Sequence, residues 1–247
     1  MNRTGSGNPA LSEKVFRRYA VAADSEVMTV GGTVNKTFLL FLLLLASAAY
    51  VWNRFMTLGT GTGLMYVGFI GGFILAMITA FKVQWSPYTA PVYAVFEGLA
   101  LGGLSAFVEA MYPGIVMKAV ALTFGVFFMM LFLYRSGIIK PTQRFTMGVV
   151  AATGGIALVY FVSWIASMFG AQVGFLYGNS NFSIGLSLFI VVIAALNLVL
   201  DFAFIDQASA QGAPKFMEWY AAFGLMVTLV WLYIEILRLL SKLASRE

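Results

Sequence analysis

The sequence predicts an all-α integral membrane protein with seven transmembrane helices. Of its 247 residues, 61% are hydrophobic and 10% are charged, whereas a soluble domain carries about 25% charged residues. Mean hydropathy is +0.89. Apolar runs recur that are long enough to cross a bilayer, which takes about 20 residues. A β-barrel would instead alternate over strands of about 10 residues.

Residues 1–35 form a polar, glycine- and serine-containing tail, expected to hold a short helix over about 12–22. The tail is too long and too mixed for the start of a signal peptide. No small-residue cleavage site and soluble domain follow the first apolar run, so that run is read as an uncleaved span. Seven apolar segments follow, at about 37–53, 62–81, 89–111, 115–134, 146–169, 183–205 and 217–237. Short loops join them into one membrane domain over 36–243. Trp52, Trp85, Tyr88, Tyr112, Tyr134 and Trp219 sit near segment ends, where interfacial aromatics concentrate.

Lysine and arginine set the orientation. With the N-terminus inside, the inner side holds ten (Arg3, Lys14, Arg17, Arg18, Lys36, Lys82, Arg135, Lys140, Arg144 and Lys215) and the outer side five (Arg54, Lys118, Arg238, Lys242 and Arg246). The positive-inside rule therefore places the N-terminus in the cytoplasm. Seven spans then put the C-terminus outside, against which its own three basic residues argue. The net charge of +5 fits basic loops beside a lipid bilayer, and no nucleic-acid-binding motif is present.

The chain has no cysteine and no histidine. Disulfides, thiolate nucleophiles, histidine bases and histidine pH switches are excluded. An aspartyl intramembrane protease needs aspartates on two spans, but Asp201 and Asp206 share one, and a serine–histidine pair cannot exist. An enzyme is not expected, and no cofactor is required. Gly68-x-x-x-Gly72 and Gly98-x-x-x-Gly102 are small-residue pairs of the kind that let helices approach closely. Gly154-Gly155 is read the same way.

Acids inside spans carry the functional signal, because they cost a few kcal/mol to insert and tend to mark ion or proton paths. Glu97 lies within the third segment, with Tyr93 one turn away as a hydrogen-bond donor. Glu109 lies at that segment's outer end and reads as solvated. Asp201 lies in the sixth segment with Asn197 on the same face. Asp206 is about 140° further round at about 100° per residue and reads as a helix-end acid. Glu235 lies in the seventh segment, with Arg238 at i+3 as an intrahelical ion-pair partner or Asp201 as a partner across the bundle. Two close carboxylates would share a proton and titrate as a pair, which would sense pH without histidine. Hairpin geometry strains that pairing. The Asp201–Glu235 midpoint falls at residue 218, about seven residues or roughly 10 Å past the centre of the 206–215 loop. Glu218 pairs better with Asp206 by this rule.

The order of these motifs resembles the Bax inhibitor family in a bacterial form. The resemblance rests on Phe96-Glu97-Gly98-Leu99 with Gly102 in the third span, on Val199-Leu200-Asp201-Phe202 in the sixth, and on Leu232 to Leu240 with Glu235 and Arg238 in the seventh. It covers about residues 36–243. It implies a last helix central in the bundle and a pH-sensitive calcium leak across the bacterial cytoplasmic (inner) membrane. Asp201 and Glu235 would then be the pH sensor and gate and would contact Ca²⁺, a hard cation suited to carboxylate oxygens. Glu97, Asn197, Arg238 and Glu218 are candidates for pore or polar support. The chain departs from the family pattern in having Glu rather than Asp in the seventh span and a longer segment between the two acids. Asp206 is therefore an alternative sixth-span acid. The competing expectation is a protein that modulates other membrane proteins or membrane proteolysis without transport.

Overall fold

The computed structural model describes residues 26–170, 176 and 178–246, so the short helix expected at 12–22 lies outside the described residues. Seven long helices account for most of the rest. They are α1 (Val30–Leu58), α2 (Thr62–Phe81), α3 (Ser86–Met111), α4 (Ile115–Arg135), α5 (Gln143–Met168), α6 (Asn181–Ala210) and α7 (Met217–Ala244). Each is long and apolar enough to cross a membrane. Among the described residues the only extended pairing is an isolated bridge between Val27 and Pro214.

Three helices run well past their apolar runs. Helix α6 continues to Ala210, so Asp206 is a helical residue rather than the helix-end acid expected before a 206–215 loop. Helix α1 begins at Val30, inside the stretch expected to be tail. Thr29 is extended there, and its hydroxyl accepts from the Gly32 amide at 2.9 Å. This satisfies one of the orphan donors of a helix start. The helix ends at Gly59, whose positive φ of 61° lets the following Thr60 amide turn back onto the Arg54 carbonyl at 3.3 Å. Helix α7 continues to Ala244, so Arg238 and Lys242 are helical residues.

Burial separates helices that hydropathy makes look alike. Over their most apolar stretches α6 is 78% buried, α7 67% and α3 56%, against 11–22% for α1, α2, α4 and α5. The last helix is deeply buried, as expected, and α6 is buried further still. The outer helices expose large apolar groups such as Phe128, Phe132, Phe161 and Trp164, surfaces suited to acyl chains.

The chain forms two compact units, and α6 and α7 contribute to both. One unit comprises residues 26–113 and 203–227. Here α1 and α2 press onto α3 through glycines. A Cβ at Gly68 would overlap the Ala100 backbone, one at Gly98 the Leu44 carbonyl, and one at Gly102 the Ala48 backbone. These glycines therefore serve close helix packing. Ser86 donates to the Phe216 carbonyl at 3.1 Å, and Tyr93 meets Phe223 edge-on at 5.0 Å.

The other unit comprises 114–202 and 228–246 among the described residues. Phe127 and Tyr134 of α4 pack on Phe202 of α6, with centroids 5.7 and 5.8 Å away. Gly154 and Gly155 of α5 have open space where a side chain would stand. They do not share the packing role of the α3 glycines.

Candidate functional site

Asp201 is fully buried near the middle of α6. One turn before it, Asn197 is also buried, as their shared face requires. The Asn197 amide donates to the Thr153 hydroxyl of α5 at 2.8 Å and to the Ile193 carbonyl at 2.9 Å. The polar stripe read from the sequence thus points inward, and Thr153 is its partner on the neighbouring helix.

Glu235 lies in the same unit and is equally buried. Three groups hold its carboxylate. The Tyr160 phenol of α5 donates at 2.8 Å, the Trp231 indole N–H at 3.3 Å, and the Arg238 guanidinium reaches both oxygens at 3.4 Å. Arg238 also donates to the Tyr160 oxygen and lies 5.0 Å from the centre of its ring. The intrahelical Glu235–Arg238 pair foreseen from i,i+3 spacing is therefore present, and Tyr160 completes a cross-helix triangle.

Glu218, Asp206 and Glu97 sit in the unit of residues 26–113 and 203–227. Glu218, at the start of α7, is fully buried. It accepts from the backbone amide of Thr29 at 2.9 Å and from the Thr29 hydroxyl at 3.0 Å. It is also ion-paired with Lys36 of α1 and with Lys215 at 3.3 Å. Hairpin geometry pointed instead to Asp206 as its companion. The rule considers only helices adjacent in sequence, whereas α1 returns from about 180 residues away. Asp206 is half-buried in the same unit. Glu97 is half-buried on α3. It carries the expected hydrogen bond from Tyr93, and its carboxylate faces Gly72 of α2.

Several polar groups were not foreseen as parts of a site. Tyr160, Thr153 and Thr29 read as ordinary span or tail residues, and only the fold brings them to an acid. Lys36 read as an inner-loop charge and Lys242 as a tail charge. Lys242 is instead 7% exposed and is held by four oxygens of the α6 end of its unit. Its only sequence trace is the i,i+4 spacing of Ser183 and Ser187. No cluster of three or more His, Cys, Asp or Glu poised to hold a metal occurs among the described residues.

A Bax inhibitor 1 like family model matches residues 8–245. Comparisons with curated proteins and with solved structures give no match. The match spans nearly the whole chain. The chain belongs to the Bax inhibitor 1 like family.

Proposed function

We propose that this multi-pass membrane protein is a pH-sensitive cation leak carrying Ca²⁺, gated by protonation at Asp201 and Glu235. The observation behind the reading is that two fully buried carboxylates lie on the two most deeply buried spans, within one compact unit. Such acids are costly unless they pair with neighbours or line a path. Protonating Glu235 removes the charge that holds Arg238 and Tyr160, which loosens the contact between α5 and α7. Protonating Asp201 removes a charge that attracts a divalent ion. Deprotonation opens or loads the path, and protonation closes or unloads it. Asp206 is the alternative sixth-span acid, and Glu97 with Tyr93 is a further polar element.

The membrane is the bacterial cytoplasmic membrane, with the N-terminus in the cytoplasm. The engagement of Arg238 and Lys242 inside the protein supports this orientation, because neither is a free tail charge opposing a C-terminus outside. The test is calcium flux into proteoliposomes across a pH series for the native chain, Asp201→Asn and Glu235→Gln. Equal, pH-independent flux in all three would rule the mechanism out.

A second reading is a modulator of other membrane proteins or of membrane proteolysis, without transport. It draws on the fact that Glu218 and Glu235 both sit in networks that tie helices together. Stable co-purification of a membrane partner, with no flux in liposomes, would favour it.

A further inference from the structure

The ammonium of Lys242 is enclosed by neutral oxygens. The Leu176 carbonyl lies at 2.6 Å, the Ser187 hydroxyl at 2.7 Å, the Ser183 hydroxyl at 2.8 Å and the Ser183 carbonyl at 3.3 Å. Ser183, Ser187 and Leu176 are all buried. A lysine ammonium has three N–H donors and no acceptor. Three short contacts match those donors, and the Ser183 carbonyl, at 3.3 Å, shares one of them. Four neutral oxygens converging on one buried cation are also surroundings that a monovalent ion can take. Rings of carbonyl oxygens replace the water of a monovalent ion in this way. Ca²⁺ takes six to eight oxygens and generally draws on carboxylates, and none of these four is a carboxylate.

We propose that the Leu176 carbonyl with the carbonyl and hydroxyl of Ser183 and the hydroxyl of Ser187 forms a monovalent-cation site of which Lys242 is the tethered occupant. Removing the ammonium lets a free ammonium or potassium ion bind in its place. The site lies two turns beyond Glu235 on α7, within reach of its charge and that of Arg238, but its oxygens are not carboxylates and it stands whether or not those gate a leak.

The experiment is thermal unfolding of Lys242→Ala in detergent, in ammonium, potassium or N-methylglucamine chloride at matched ionic strength. The variant should gain a saturable Tm rise of roughly 3–8 °C in ammonium or potassium relative to N-methylglucamine. The native chain should show no such difference, and Lys242→Ala/Ser187→Ala should lose most of the rise. Equal Tm of Lys242→Ala in all three salts overturns the site, as does an equal rise in the native chain. If Lys242→Ala does not survive extraction in N-methylglucamine, recovered yield becomes the readout. Recovery restored by ammonium or potassium supports the site, and equal loss in all three salts overturns it.

Discussion

Tyr160 of α5 donates a 2.8 Å hydrogen bond to Glu235 of α7, and Arg238 contacts both partners. This triangle joins a lipid-exposed helix to a buried one through a carboxylate. Any proton reaching Glu235 therefore acts on helix contact as well as on charge.

Removing the phenol should expose that coupling. Polar contacts between membrane helices average about 0.6 kcal/mol and reach about 1.7. Tyr160→Phe should therefore cost roughly 0.5–1.5 kcal/mol, read as a lower Tm in detergent. With Arg238→Met added, the two losses should fall short of their sum, because Arg238 and Tyr160 also bond each other. Strict additivity would contradict the triangle.

The start of α1 makes a sharper comparison between adjacent glycines. A Cβ at Gly32 would overlap the Glu218 carboxylate, while one at Gly31 meets nothing within 4 Å. Thr29 and Lys36 pin that carboxylate, so it cannot easily yield. Gly32→Ala should destabilise by about 1–3 kcal/mol, as overpacking does. Gly31→Ala should be neutral or stabilising by up to about 1 kcal/mol. Paired thermal melts in which Gly31→Ala proved the more damaging would refute the packing.

Glu218 itself should behave as the buried half of a partly exposed ion pair. Glu218→Gln leaves the Lys36 ammonium beside a neutral amide, and Lys36→Met leaves the Glu218 charge with Lys215 as its remaining cation. Each should lower Tm. The double variant should be less damaged than the sum of the two, since each single change leaves the other group without its partner, an effect that the partial exposure of Lys36 reduces. Double-mutant-cycle melts measure this directly.

Helix packing can be checked at two glycine sites with opposite expectations. Gly102→Ala should destabilise, because the Ala48 backbone occupies the space for its Cβ. Gly154→Ala should not, since its surroundings are open. Membrane yield and Tm of the two variants separate these cases.

Apolar run length made the seven spans legible, because the bilayer demands that property of every span. It missed the polar turn Val30–Lys36, where capping by Thr29 rather than hydropathy starts the helix. It also missed the last two turns of α7, because Arg238 and Lys242 look like tail charges until their partners are known. The Asn197–Asp201 face was legible because it follows from helical period alone. The partners of Glu218 were not: Thr29 and Lys36 lie about 180 residues upstream, and no local rule joins them. Tyr160 was hidden for the same reason, as one aromatic among many in an apolar span.

Protonation at Asp201 and Glu235 as the control of cation passage is tested most directly by calcium entry into proteoliposomes, followed with a trapped calcium dye from mildly acidic to mildly alkaline pH. The native chain should pass more calcium as pH rises. Asp201→Asn and Glu235→Gln should each flatten that dependence, because an amide cannot release a proton. Retention of the full native pH dependence in both variants would contradict the account.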